Sequence, residues 1–64
     1  MAILIKAARV NAGLTQTDVA KAIGKSKNTI VSYESYTTIP DINTAKEMAK
    51  LFNMSVNDII WSKD

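Results

Sequence analysis

Two short stretches of helical periodicity meet at a single glycine, Gly24, and that junction constrains this chain more than anything else in it. Upstream, Val19, Ala20 and Ile23 share one face of a helix that opens at Thr15. Downstream, Ser26 is placed to cap a second helix whose inward residues are Ile30 and Tyr33. A glycine, lacking Cβ, adopts the left-handed conformation that stops a helix within one residue. The turn therefore brings the second helix out with its opening polar residues, Lys27 and Asn28, on the open side.

The rest of the chain reads the same way. Residues 3–11 carry Leu4, Ile5, Ala8 and then Ala12 at helical spacing, with Gly13 as the terminator. Asp18, three residues after Thr15, stands near the positive end of its helix. Residues 35–40 form a loop, because Pro40 bars its predecessor from helical geometry. Asp41 caps a fourth helix with Ile42, Ala45, Met48, Ala49 and Phe52 as its buried stripe, and Asn53 supplies the left-handed end. Ser55, with Asp58 three residues on, predicts a fifth, short helix over residues 56–61. No β-alternation of useful length is present. The expected fold class is all-α with five helices, and 64 residues make a single domain over 1–64.

Composition narrows the function classes. The chain has no histidine and no cysteine, which removes the commonest general base, the commonest metal ligand and any disulfide. Its carboxylates are scattered at helix starts and form no convergent constellation, so no enzyme, metal site or cofactor is expected. No apolar run approaches the ~20 residues that span a bilayer, so a soluble cytoplasmic protein without a membrane partner is expected. Eight basic against six acidic residues give a net charge of +2, compatible with a nucleic-acid surface and equally with ordinary solvation.

Taken together, Ile5, Arg9, Gly13, Leu14, Thr15, Gln16, Val19, Ala20, Gly24, Ser26, Ile30, Tyr33, Glu34 and Pro40 form an ordered set at fixed spacings. This set, with the fourth helix and the ending from Asn53 to Ile60, resembles the phage repressor and Cro family of helix-turn-helix domains, also called the xenobiotic-response-element family. The resemblance covers nearly the whole chain. It implies a compact five-helix, lambda-repressor-like domain that binds operator DNA, usually as a homodimer. The chain departs from the family at two places. Lys25 stands where an apolar residue is common, and Ser35, Tyr36, Thr37 and Thr38 stand where Asn-Gly and basic residues are usual. The missing glycine makes a bulkier residue form that turn at a conformational cost, and the missing cations remove phosphate contacts.

A helix-turn-helix reader inserts the start of its second helix into the major groove. The candidate base contacts are accordingly Lys27, Asn28, Thr29, Val31 and Ser32. Asn28 suits adenine N6 and N7, Lys27 suits guanine O6 and N7, and the Thr29 methyl or Val31 suits a thymine methyl. The alternative for these residues is a solvated helix face. The candidate phosphate contacts are Gln16, Lys25, Ser26, Ser35, Thr37, Thr38 and Arg9. The resemblance implies that Gln16 touches a phosphate and braces Lys27 or Asn28. It also implies an ion pair between Arg9 and Glu34, structural first and DNA-binding second. Ile59, Ile60 and Trp61 are more apolar than a short terminal helix needs, and are candidates for core closure or for contact with a second copy. Two functions follow: a dimeric transcriptional regulator on a near-palindromic operator, or an antitoxin- or antirepressor-like module of the same fold that binds a protein partner.

Overall fold

The computed structural model describes residues 1–63. A two-residue strand β1 (Ile3–Leu4) leads into four α-helices: α1 (Ile5–Asn11), α2 (Gln16–Ile23), α3 (Lys27–Glu34) and α4 (Ile42–Leu51). A 3₁₀ turn at Val56–Asp58 then delivers a second strand, β2 (Ile59–Ile60), which pairs in parallel with β1, Ile3 opposite Ile59 and Leu4 opposite Ile60.

Each helix end has a local cause in the sequence. Thr15 and Asp18 form a reciprocal capping box at α2, with N–H to oxygen distances of 2.9 and 3.0 Å. Ser26 accepts from the Thr29 N–H at α3, and Asp41 from the Thr44 N–H at α4. All four helices stop on a residue with positive φ: Gly13, Gly24, Tyr36 and Asn53. After each of these the next N–H turns back onto the carbonyl of the residue five before it, from Leu14 to Arg9, Lys25 to Ala20, Thr37 to Ser32 and Met54 to Ala49. This is the Schellman arrangement, and it satisfies carbonyls that the helix would leave bare.

The core gathers Ile5 and Ala8 from α1, Val19 and Ala20 from α2, Ile30 and Tyr33 from α3, Met48 and Ala49 from α4, then Phe52 and Ile59. Among the described residues, no buried side-chain nitrogen or oxygen lacks a hydrogen-bond partner. No helix among them is long and apolar enough to cross a membrane.

Three features correct the sequence reading. The five-helix count falls to four, because residues 56–61 make only one 3₁₀ turn before Ile59 extends at φ −121° and ψ 136°. The β-branched pair Ile59 and Ile60 favours the pleated state, and pairing with Ile3–Leu4 becomes available only once both chain ends meet. For the same reason Leu4 belongs to a strand and lies exposed, not on the buried face of α1. Ile42 also lies outside the core, 62% exposed, and Thr44 is buried on α4 instead.

Candidate nucleic-acid interface

The helix pair α2 and α3 displays a polar edge at the start of α3. α2 lies against α3 through Val19, Ala20 and Ile30, all buried in the common core. That packing fixes the phase of α3. Ile30 and Tyr33 point inward, which leaves Lys27, Asn28 and Val31 exposed. Thr29 and Ser32 are half-buried. Val31 is apolar yet 42% exposed, so its side chain contributes little to the fold.

The residues flanking this edge divide into committed and uncommitted groups. Ser26 is committed as the cap of α3, its hydroxyl accepting from the Thr29 N–H and lying 3.0 Å from the Thr29 hydroxyl. Ser35 donates to the Ser32 carbonyl at 3.2 Å and shares a 2.9 Å contact with the Thr37 hydroxyl. The backbone N–H groups of Thr37 and Thr38 also turn back onto Ser32, so their donors to an outside partner are side-chain hydroxyls alone. Lys25 is exposed. The Asp41 carboxyl lies below its ordinary range, held there first by the Thr44 backbone N–H, then by the Thr44 hydroxyl, with a smaller contribution from the Lys25 charge. The Asp18 carboxyl is lowered likewise, chiefly by the Thr15 backbone N–H and then the Thr15 hydroxyl.

Behind the edge lies a charged anchor. Arg9 Nε donates to Glu34 Oε2 at 2.6 Å and Nη2 donates to Oε1 at 3.4 Å, while Nη1 donates to the Leu14 carbonyl at 2.8 Å. The two side chains are 11% and 7% exposed. Arg9 is thus occupied inside the scaffold, in the structural role expected of it first. Gln16 Nε2 donates to Glu34 Oε1 at 3.1 Å, so the side chain that Gln16 braces is Glu34 rather than Lys27 or Asn28. Glu34 lies at the C-terminal end of α3, against the α1 and α2 termini, and this is why Gln16 meets it rather than the opposite end of α3.

The C-terminal cluster also divides. Ile59 is 4% exposed and belongs to the core, so it is withdrawn as a contact for a second copy. Ile60 and Trp61 are half-buried, and the Trp61 indole N–H donates to the Val56 carbonyl at 2.9 Å. The residue the sequence reading missed is Tyr36. Its hydroxyl accepts from the Ile5 N–H at 3.2 Å and donates to the Ile60 carbonyl at 2.6 Å. The absent glycine marked its backbone position, but nothing local marked its partners. Among the described residues no group of His, Cys, Asp or Glu is arranged to hold a metal.

The helix-turn-helix family matches residues 5–59, which includes every element from α1 to the start of β2. The chain belongs to this family. Among its relatives is the cryptic phage CTXphi transcriptional repressor RstR of Vibrio cholerae, 34% identical over 56 residues, covering 88% of this chain and 50% of the repressor. The chain therefore spans half the length of that relative. An uncharacterized HTH-type transcriptional regulator of Methanocaldococcus jannaschii is 37% identical over 51 residues, covering 80% of this chain and 77% of the other. One from Archaeoglobus fulgidus is 32% identical over 60 residues, covering 94% and 86%. No solved structure matches the chain significantly.

Proposed function

We propose that this helix-turn-helix chain is a DNA-binding transcription regulator that represses by occupying an operator as a dimer and blocking polymerase there. The observation that carries the reading is the exposed edge of α3, the polar Lys27 and Asn28 with the apolar Val31, presented by a turn at Gly24 and backed by the Arg9–Glu34 ion pair. The α3 N-terminus reads base edges, with Asn28 on adenine, Lys27 on guanine, Val31 or the Thr29 methyl on thymine, and Ser32 beside them. Gln16, Lys25 and the Thr38 hydroxyl hold the sugar–phosphate backbone and set the register, with Ser35 and Thr37 bonded to Ser32 and to each other behind them. The name of the V. cholerae relative supports repression. Two copies, meeting through Ile60 and Trp61, set their α3 helices about one DNA turn apart, ~34 Å, on a near-palindromic site in the cytoplasm.

A mobility-shift titration across a salt series tests the reading. The log of the affinity is expected to fall linearly with the log of salt, by about −0.9 for each phosphate neutralised. Lys25→Ala should flatten that slope by about one phosphate's worth and weaken all sequences alike. Asn28→Ala should relax preference at one base pair, by about 1–3 kcal/mol, with the slope kept. If no duplex is retarded even at low salt, the reading fails and the exposed edge is a surface for a protein partner.

A further inference from the structure

The turn that ends α3 holds a residue the backbone disfavours. Tyr36 has φ 61°, a conformation that costs an L-residue about 1–2 kcal/mol. A bulky side chain stays there only where its surroundings over-determine it. Here they do. The ring is half-buried against the core, and its hydroxyl serves two backbone groups remote in the chain. One is the Ile5 N–H, 31 residues upstream, at the start of a helix whose N-cap residue, Leu4, provides no side-chain acceptor. The other is the Ile60 carbonyl, 24 residues downstream, in β2. The ammonium of Lys63 stands 6.0 Å from the ring centroid, at the outer reach of a cation–π contact. One phenol oxygen thus joins α1, β2 and the loop that leaves α3.

That loop contains Ser35, Thr37 and Thr38, and its backbone direction is set at Tyr36. We propose that Tyr36 is the residue that positions this loop for the DNA backbone, by tethering it to the terminal sheet; this rests on the duplex-binding reading above. The loop has no cation of its own, so any phosphate contacts are short neutral hydrogen bonds from hydroxyls. Such bonds tolerate little displacement, because their strength falls steeply with distance and angle. A basic loop can find a phosphate with long flexible side chains. A hydroxyl loop has to be held in place beforehand, and the tether does so. Tyr36 is a positioning residue that itself touches no nucleotide.

Tyr36→Phe removes the tether and keeps the ring. Tyr36→Asn removes both but retains a residue that accepts the left-handed conformation. Both variants are compared with the unaltered chain at a temperature where circular dichroism shows all three fully folded. Two quantities are measured: hydrogen exchange of the Ile5 and Thr37 amides without DNA, and the dissociation constant for a set of duplexes over a salt series. The expected result is faster exchange at both amides and a roughly tenfold weaker constant on every duplex, with the salt slope and base preference unchanged. Wild-type affinity in either folded variant overturns the proposal while leaving the duplex reading intact. Unchanged exchange in Tyr36→Phe overturns the tether itself. If the unaltered chain retards no duplex, the duplex reading fails first and the loop assignment falls with it, while exchange still reports on the tether.

Discussion

α3 is bracketed by two left-handed residues, Gly24 at φ 69° and Tyr36 at φ 61°. The backbone problem is the same at both. A helix must stop, and the N–H of the following residue returns to the carbonyl five residues back, Lys25 to Ala20 at 2.9 Å and Thr37 to Ser32 at 3.0 Å. The solutions differ. At Gly24 the sequence removes the side chain, and a Cβ there would meet nothing within 4 Å, so only the backbone conformation selects glycine. At Tyr36 the side chain is retained and put to use, with partners in Ile5 and Ile60. The approach to α3 is thus built from residues within a few positions of the turn: Gly24, Ser26 and Thr29. The departure from α3 is built from residues of α1, α2 and β2: Arg9, Gln16, Ile5 and Ile60. A helix presented to a ligand can therefore be aimed locally at one end and tied globally at the other.

This contrast can be broken by mutation. The largest effect is expected at the tied end. Glu34→Ala leaves the Arg9 guanidinium nearly buried without its carboxylate, and a loss of about 3–5 kcal/mol should appear in urea unfolding. Replacing both partners together, Arg9→Met with Glu34→Leu, should recover much of that loss, because an uncompensated charge and not the missing attraction carries most of it. A double variant as unstable as Glu34→Ala would contradict that account.

Next comes Tyr36→Gly. It relieves the left-handed strain, yet removes a packed ring and a doubly bonded hydroxyl, so a net destabilisation of about 2 kcal/mol is expected. Were the residue simply a strained cap, the glycine variant would be more stable than the natural chain. Gly24→Ala runs the same test in reverse, with no side chain to reward. It should cost about 1–2 kcal/mol through conformation alone, read as a lower midpoint in urea at constant slope.

The smallest effect is expected with acid. The folded Asp18 and Asp41 carboxyls titrate below their ordinary value of 3.8, so their stabilisation is present above that value and is lost as pH falls through the lowered ones. The melting temperature should decline below about pH 4. Asp41→Asn, which still caps α4, should make that decline shallower. A profile unchanged by the substitution would remove Asp41 from the account of acid sensitivity.

Much of this architecture is legible in the residue order because its causes are local. The caps Thr15, Ser26 and Asp41 and the left-handed ends Gly13, Gly24 and Asn53 each act within four or five residues. The 3.6-residue period likewise determines that Ile30 and Tyr33 face inward while Lys27, Asn28 and Val31 do not. The remaining features depend on residues far apart in the chain. Ile3–Leu4 and Ile59–Ile60 lack the length to declare themselves strands, and become a sheet only when folding brings the two ends together. Gln16 finds Glu34, and Tyr36 finds Ile5 and Ile60, for the same reason. Local backbone preference is written residue by residue, so the order of amino acids alone determined the helices and the outward edge of α3. Hydrogen bonds spanning 18 to 31 positions exist only after the core has closed, so tertiary packing alone decided how the far end of that helix is held.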